Sequence, residues 1–524
     1  MWPSSSTRSQ PPSRNDCLAR AGSIAARAAW ALEMARRNSA GRVISFKIAR
    51  AACDRIAGVR LLGIWILGCA AIAADWPQFR GSQGHGVSGE RDLPVEFSQV
   101  NGVVWKAEIP EGKSSPVVVG RRICLTAAAH QTLETFCLDR DSGKMLWRAA
   151  VAQERSESRH KLNHPASPTP VSDGANLYVF FSDFGLISYT LEGKERWRMR
   201  LGPFSNLHGM GASPVLARGK LLLACDQDTK AFLLAVEKDS GKVVWKADRS
   251  DFTHSFSTPA VYLPEKREAE VIMPGAYQMV SYSLETGKKL WWLRGLTWQP
   301  KSPPIVHGDT LYFNGWAPGG DAGQQKDLPP FEDVVKRADA NGDGKLAPEE
   351  IPADLKHSGS WQAIDLDHDG FMDGRDWSFY RARRAARNSL MAVKLGGRGD
   401  VTGSHILWRY DKSLPDVPVP LLYEKTLFLV RTGGIFTTVN PETGQVYKQG
   451  RLMGALEGYY SSPVGADGKV YVASENGKVV VVKASPEWEV LAVNDFGEDI
   501  YATPAIVDGR IFVRTHGALY AIGK

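Results

Sequence analysis

Ser213 to Trp245 reads SPVLARGKLLLACDQDTKAFLLAVEKDSGKVVW. A small residue and Pro214 open a strand, and Gly219 turns it into a second, strongly apolar strand. A polar loop leads to a third strand. The turn Asp239-Ser240-Gly241-Lys242 then delivers a fourth strand that ends in Trp245. Four short strands joined by tight turns make one antiparallel unit, and Gly in the last turn supplies the positive φ that a tight hairpin needs.

The unit repeats. A small residue or Pro, then Pro, recurs at Ser115-Pro116, Thr169-Pro170, Ser213-Pro214, Thr258-Pro259, Pro303-Pro304, Val419-Pro420, Ser462-Pro463 and Thr503-Pro504. The steps between these prolines are 54, 44, 45, 45, 116, 43 and 41 residues, so one repeat holds an insertion of about 70 residues. Asp/Glu-x-Gly turns return at Gly143, Gly193, Gly287 and Gly444, and Trp147, Trp197, Trp291 and Trp408 close the strands that follow; Tyr447 takes that place in the sixth repeat. Four-stranded repeats of this length predict propeller blades. The eighth repeat lacks its fourth strand, and Gly102-Val103-Val104-Trp105-Lys106-Ala107 has the pattern of one. First and last segments are therefore expected to pair and seal the ring, which removes exposed sheet edges. The fold class read from this is all-β: an eight-bladed propeller, with residues 75–318 and 389–524 forming the ring and 319–388 inserted.

The whole chain has 524 residues and a net charge of +7. Residues 1–74 hold 11 basic and 3 acidic side chains, leaving 53 basic against 54 acidic in the rest. The body is near neutral, which argues against a nucleic-acid partner. The apolar run Leu61–Ala74 is about 14 residues, short of the roughly 20 a spanning helix needs. With Arg55 and Arg60 before it and Ala71-Ile72-Ala73 at its end, it reads as an export signal. Residues 1–50 are either a tail that does not pack or the product of a start codon placed too early. Ile66-Leu67-Gly68-Cys69 loosely matches a lipobox, making a lipid anchor at Cys69 the alternative to simple cleavage. The expected location is the periplasm or cell envelope. Beyond the leader, Cys124, Cys137 and Cys225 remain; the first two could face each other across one hairpin, and the odd number leaves at least one thiol over.

The spaced Gly-Lys-x-x-Trp turns resemble the repeats of pyrroloquinoline-quinone-type, or quinoprotein-like, propellers. Trp76-Pro77-Gln78-Phe79-Arg80-Gly81 resembles the opening of exported propellers of that type common in planctomycetes. The resemblance implies a fold more than an activity, since such propellers include quinone-dependent alcohol dehydrogenases, an outer-membrane barrel-assembly lipoprotein and proteins of other roles. In the dehydrogenases it implies an adjacent Cys-Cys pair and a calcium in the funnel. This sequence has no Cys-Cys, so pyrroloquinoline quinone is not expected as a cofactor.

The insertion carries its own chemistry. Residues 339–350 read DANGDGKLAPEE. Calcium in a helix–loop–helix site takes oxygens at loop positions 1, 3, 5, 7, 9 and 12, with Gly at 6. Asp339, Asn341, Asp343, the Lys345 carbonyl and Glu350 fill positions 1, 3, 5, 7 and 12, and water would serve at Ala347. A second copy, DLDHDGFMDGRD at 365–376, offers Asp365, Asp367, Asp369, the Phe371 carbonyl, Asp373 and Asp376. Asp376 stands where Glu is usual, and its shorter reach predicts weaker binding or a preference for Mg²⁺. These loops resemble the EF-hand family residue by residue, and two calcium ions are expected. The basic run Arg381–Arg387 is expected to be the solvated face of the helix leaving the second loop.

The linkers leading into the blades should ring one mouth of the channel. His164, His208, His254, Trp298, Lys301, Tyr460 and Tyr501 are the candidate ligand residues there, with Lys113, Asp416 and Tyr459 beside them. The insertion joins the second and third strands of blade five, which should set it beside the same mouth. The expected function is a calcium-binding, ligand- or protein-binding scaffold at the envelope. The alternative is a quinone-dependent oxidoreductase using the funnel.

Overall fold

The computed structural model describes residues 75–356 and 359–524. The export segment, Cys17, Cys53 and Cys69 lie outside the described residues. The body forms eight sheets, seven of four antiparallel strands and one that adds a fifth to its four. Blade three is Val215–Ala217, Lys220–Cys225, Phe232–Glu237 and Val243–Asp248. Its two middle strands are almost entirely buried, and its outer strand alternates toward solvent. That pattern follows from packing blade faces against neighbours on both sides. Blade eight is completed by Val103–Glu108, which pairs antiparallel with Ala518–Ile522. The ring is sealed as the missing strand required.

The repeated Trp and Gly are two halves of one joint. Trp147 Nε1 donates to the Leu191 carbonyl at 2.8 Å, and Trp197 Nε1 to that of Lys238 at 3.0 Å. Each indole lies on the turn glycine of the next blade. Gly193 has φ +86°, and a Cβ there would sit 2.6 Å from the Trp147 ring. Trp105, Trp245 and Trp408 make the same joint. Trp291 departs from it, bonding Glu270 of its own blade at 2.7 Å. The turn of blade five is longer here and adds Gly399–Asp400 as a fifth, parallel strand on blade four. A strictly four-stranded blade is thus corrected at this one position.

A second belt runs around the channel. The Ser115 amide donates to Thr169 Oγ1, Thr169 to Ser213 Oγ, and Ser213 to Thr258 Oγ1, at 2.9–3.0 Å. Val419 donates to Ser462, Ser462 to Thr503, and Thr503 back to Ser115, each at 3.0 Å. The hydroxyl before each proline is therefore a link between blades. The belt lapses where Pro303 and Val419 carry no hydroxyl. There the Lys301–Asp416 ion pair, at 2.6 Å, spans the linkers of blades five and six.

The segment from Trp76 ties blades on opposite sides of the ring together. Trp76 forms a bridge with Val118 of blade one. Fully buried Arg80 donates to the carbonyls of Pro420 at 3.0 Å and Pro463 at 3.1 Å, in blades six and seven. Burial lowers its pKa to about 9, so it remains a cation at neutral pH. Cys124 and Cys137 are cross-strand partners in blade one and form a disulfide; Cys225 is free and buried. Among the described residues no helix is long and apolar enough to cross a membrane.

Candidate functional site

The insertion leaves blade five between Thr310–Gly315 and Ser389–Lys394. It has two short α-helices, α1 (Phe331–Ala338) and α2 (Gly374–Ala385). Among the described residues between Glu350 and Asp365 the chain makes turns and one 3₁₀ turn, Trp361–Ala363, and each Asp/Gly loop has an α-helix on its outer side only. Pro348 and Pro352 are the sequence feature that breaks the inner helices. The loops meet through an antiparallel bridge: Leu346 and Met372 exchange backbone hydrogen bonds at 3.0 and 2.9 Å. Val334, Leu346, Ile351, Met372 and Trp377 form a small core of their own beneath it.

In the first loop Asp339 accepts the amides of Gly342 and Gly344, at 2.7 and 2.9 Å, and these bonds hold its carboxyl below the ordinary range. Asn341 and Asp343 are exposed and accept amides within the loop. Glu350 folds back onto the amides of Ala340 and Ala347. In the second loop, oxygens of Asp365, Asp367 and Asp369 lie within 4.8 Å of one another. Asp365 is 2% exposed, and its Oδ1 has no hydrogen-bond partner. The Lys345 ammonium pairs with Asp369 and lowers that carboxyl's pKa. Phe371 is exposed, Asp373 caps α2, and burial pushes the Asp376 carboxyl up to about 6.

At the mouth a cavity of about 390 Å³ opens between the linkers. His208, Lys301, Tyr460 and Tyr501 line it, with Lys113 and Asp416, and Phe79 from the Trp76 segment is part of the wall. His164, His254 and Trp298 do not, which corrects the expectation that all seven ring the opening. The linker into blade two is the longest of the series and turns at His160, whose carbonyl takes the Asn163 amide at 2.8 Å. That turn sends His160 and Asn163 to the cavity and leaves His164 behind, its Nδ1 accepting the Ala166 amide. Burial, and then Arg514 and Lys113, depress its pKa to about 4. Tyr459 is in the core, its hydroxyl on the Ala455 carbonyl at 2.6 Å.

His254 forms a layer behind His208. The rings of His160, His208 and His254 follow edge to face, with centroids 5.7 Å apart at each step. His254 Nδ1 pairs with Asp228, and its Nε2 meets Gln299 Nε2 at 2.8 Å. Gln299 lines the cavity. Asp228 also connects to the insertion, because its carbonyl accepts Arg375 Nη2 of α2 at 2.6 Å. Trp298 lies edge-on to His254, and the Arg383 guanidinium stacks on its indole at 3.7 Å. The run Arg381–Arg387 is therefore not simply a solvated face: one of its cations is half-buried on Trp298, behind the cavity wall. Two residues before Asp228, Asp226 and Arg249 form a fully buried bidentate pair at 2.6 and 2.8 Å.

The residues missed in the sequence are His160, Asn163, Gln299 and Phe79. Only Phe79 carried a signal, as part of the opening motif.

Residues 96–319 match the family of outer membrane protein assembly factor BamB. No curated protein matches the chain. Among solved structures, BamB from Moraxella catarrhalis aligns with TM-score 0.51 at 12% identity, over 80% of this chain and 99% of that one. Quinohemoprotein alcohol dehydrogenase ADHIIG from Pseudomonas putida HK5 aligns with TM-score 0.51 at 11% identity, over 86% and 80%. The quinohemoprotein alcohol dehydrogenase of Comamonas testosteroni gives 0.50 at 13%, over 89% and 83%. At such identities the likeness is one of fold: this chain is an eight-bladed propeller of the quinoprotein type, an architecture it shares with an assembly factor and with dehydrogenases alike.

Proposed function

We propose that this chain is an exported, calcium-binding propeller that binds a ligand or protein partner at its mouth and acts as a scaffold at the cell envelope. The observation that carries the calcium assignment is the buried Asp365 Oδ1. It has no partner and lies among the Asp367 and Asp369 carboxylates. A buried carboxylate oxygen left without a hydrogen bond is costly unless a cation completes it. The Leu346–Met372 bridge supports reading the two loops as a coupled EF-hand pair. In the second loop Asp365, Asp367, Asp369, the Phe371 carbonyl and Asp376 would hold the ion, with Asp373 through water. In the first, Asp339, Asn341, Asp343, the Lys345 carbonyl and Glu350 would do so. Calcium would supply a structural cross-link within the insertion.

Envelope location is supported by the short apolar run at Leu61–Ala74 and by the match to an outer-membrane assembly factor family. Membrane contact would come only through that signal segment or a lipid on Cys69. The reading gives nucleic acid no part, in keeping with the near-neutral body. It gives pyrroloquinoline quinone none either, because the Cys124–Cys137 bond is not between adjacent residues and is not part of the cavity wall.

Calcium titration by calorimetry on the full chain tests the proposal. Two binding events are expected, and Asp365→Ala should remove one of them. Absence of any calcium heat, or an unchanged isotherm for Asp365→Ala, would defeat the calcium reading.

A further inference from the structure

We propose that the mouth cavity takes a small hydroxylated monocarboxylate, of the size and chemistry of a hexuronic acid. The proposal rests on the mouth being a ligand site and names what that site selects.

Size comes first. A cavity of about 390 Å³ falls within the roughly 300–1,000 Å³ of small-molecule sites. The segment carrying Phe79 and Arg80 supplies Phe79 to the cavity wall and anchors itself through Arg80 on blades six and seven.

Charge decides the class. Lys301 is already matched by Asp416. Lys113 lines the same cavity and forms no ion pair among the described residues. Its Nζ donates to the Leu162 carbonyl at 3.0 Å and lies 3.9 Å from the centre of the Tyr501 ring. Its desolvation disfavours the charged form, and an incoming anion would restore it. Glu111 and Asp499 offset part of that cost from beyond ion-pair distance, and a cation with no carboxylate in direct contact fits one bound negative charge.

The neighbours of Lys113 extend the anion site. His160 Nδ1 accepts the Leu162 amide at 3.2 Å, which assigns the ring proton to Nε2 and leaves that N–H as a donor. His208 is neutral at pH 7, because burial and then His254 and His160 hold its pKa to about 4. A neutral His208 offers a hydrogen bond without adding charge, which favours a carboxylate over a dianionic phosphate. Tyr460 and Tyr501 supply an aromatic wall, their rings 5.8 Å apart and 32° from parallel. The C–H face of a sugar ring can lie against such a wall with its hydroxyls toward the Ser and Thr side chains of the belt.

The experiment uses the full chain with sodium D-glucuronate, D-glucose and sodium benzoate, followed by calorimetry and saturation-transfer NMR. Glucuronate should bind at least about tenfold more tightly than glucose, the scale of one charge-assisted hydrogen bond. Benzoate, which has the charge without the hydroxyls, should bind more weakly than glucuronate. Lys113→Met should erase the preference for glucuronate over glucose, and Lys113→Arg should keep part of it, with both variants melting near the wild-type temperature. Equal binding of glucuronate and glucose overturns the proposal, as does a preference that survives Lys113→Met. If glucose alone binds and Tyr501→Ala abolishes that binding, the mouth remains a ligand site but not one for anions. If none of the three probes binds, the acid assignment falls, and the calcium proposal is unaffected.

Discussion

The Asp226–Arg249 pair offers a sharp test of how the mouth is built. Both side chains are fully buried, and the guanidinium bonds the carboxylate through two nitrogens. Arg249 also donates to Tyr282 of blade four at 2.8 Å, and Ser255 donates to Asp226 at 2.7 Å. Phe252 packs on the guanidinium at 4.3 Å. Burial alone would lower the proton affinity of Arg249, yet Asp226 and Tyr282 raise it above the ordinary arginine value. Attraction therefore outweighs desolvation while both partners are present. Arg249→Met strands a carboxylate and Asp226→Leu strands a guanidinium, and each should cost about 3–5 kcal/mol. The double substitution leaves no buried charge and should cost clearly less than the sum, with a coupling energy of about 2–3 kcal/mol. Urea unfolding followed by Trp fluorescence on the four proteins measures the cycle. Additive losses, with coupling under about 0.5 kcal/mol, would refute the claim that the two charges exist for each other.

Gly241→Ala should destabilise by at least about 1 kcal/mol more than Gly219→Ala, since both glycines have positive φ but only the first would press a methyl onto an indole, Trp197, 2.8 Å away; calorimetric melting compares them. His164 and His208 are held to about pKa 4 by burial, below the ordinary 6.5. The unfolded chain gains protons first, so stability should fall as pH drops from 6.5 to 4 and level off below; His208→Gln should flatten that slope in a melting series. Calcium at a hundred times its Kd should raise stability by about 2.7 kcal/mol for each loop it occupies, and EGTA should reverse the gain in the same melting assay. Lys345→Met frees Asp369 of its ammonium and should tighten calcium binding severalfold by calorimetry. Because Arg383 stacks on Trp298, calcium should change the emission of the wild type more than that of Trp298→Phe.

The ring itself was legible because its signals are local. Each Gly turn and its Trp lie within one repeat, and their spacing counts the blades. Closure was legible too, since the eighth repeat lacked a strand that an earlier segment could supply. The hydroxyls before the prolines stood in plain view, but their purpose is a bond to the neighbouring blade, and no single repeat contains it. The mouth was harder. Which residue of a linker faces the cavity depends on how that linker folds, and the turn at His160 hides His164 while exposing a residue four places earlier. His254 looked equivalent to His208 by position, but Asp228 on a loop of blade three draws it into the second layer. The disulfide needed a strand register that spacing alone leaves open.

The sealed ring also has a history in time. Glu90 meets the Gly509 amide across 419 residues of chain, and Ser114 meets Arg514 across 400. At about 5–20 residues per second of synthesis, those partners are made on the order of 20–80 s after the segments that need them. The strand Val103–Glu108 waits through that interval with both its edges unpaired, while the blades between can stack one upon another. Of the four strands of blade eight, the first to be made is thus paired only when the last arrives. A nascent ring of this kind is an open spiral with a reactive strand at its start, and shielding that strand until Ala518–Ile522 arrives becomes a requirement on the cell rather than on the fold.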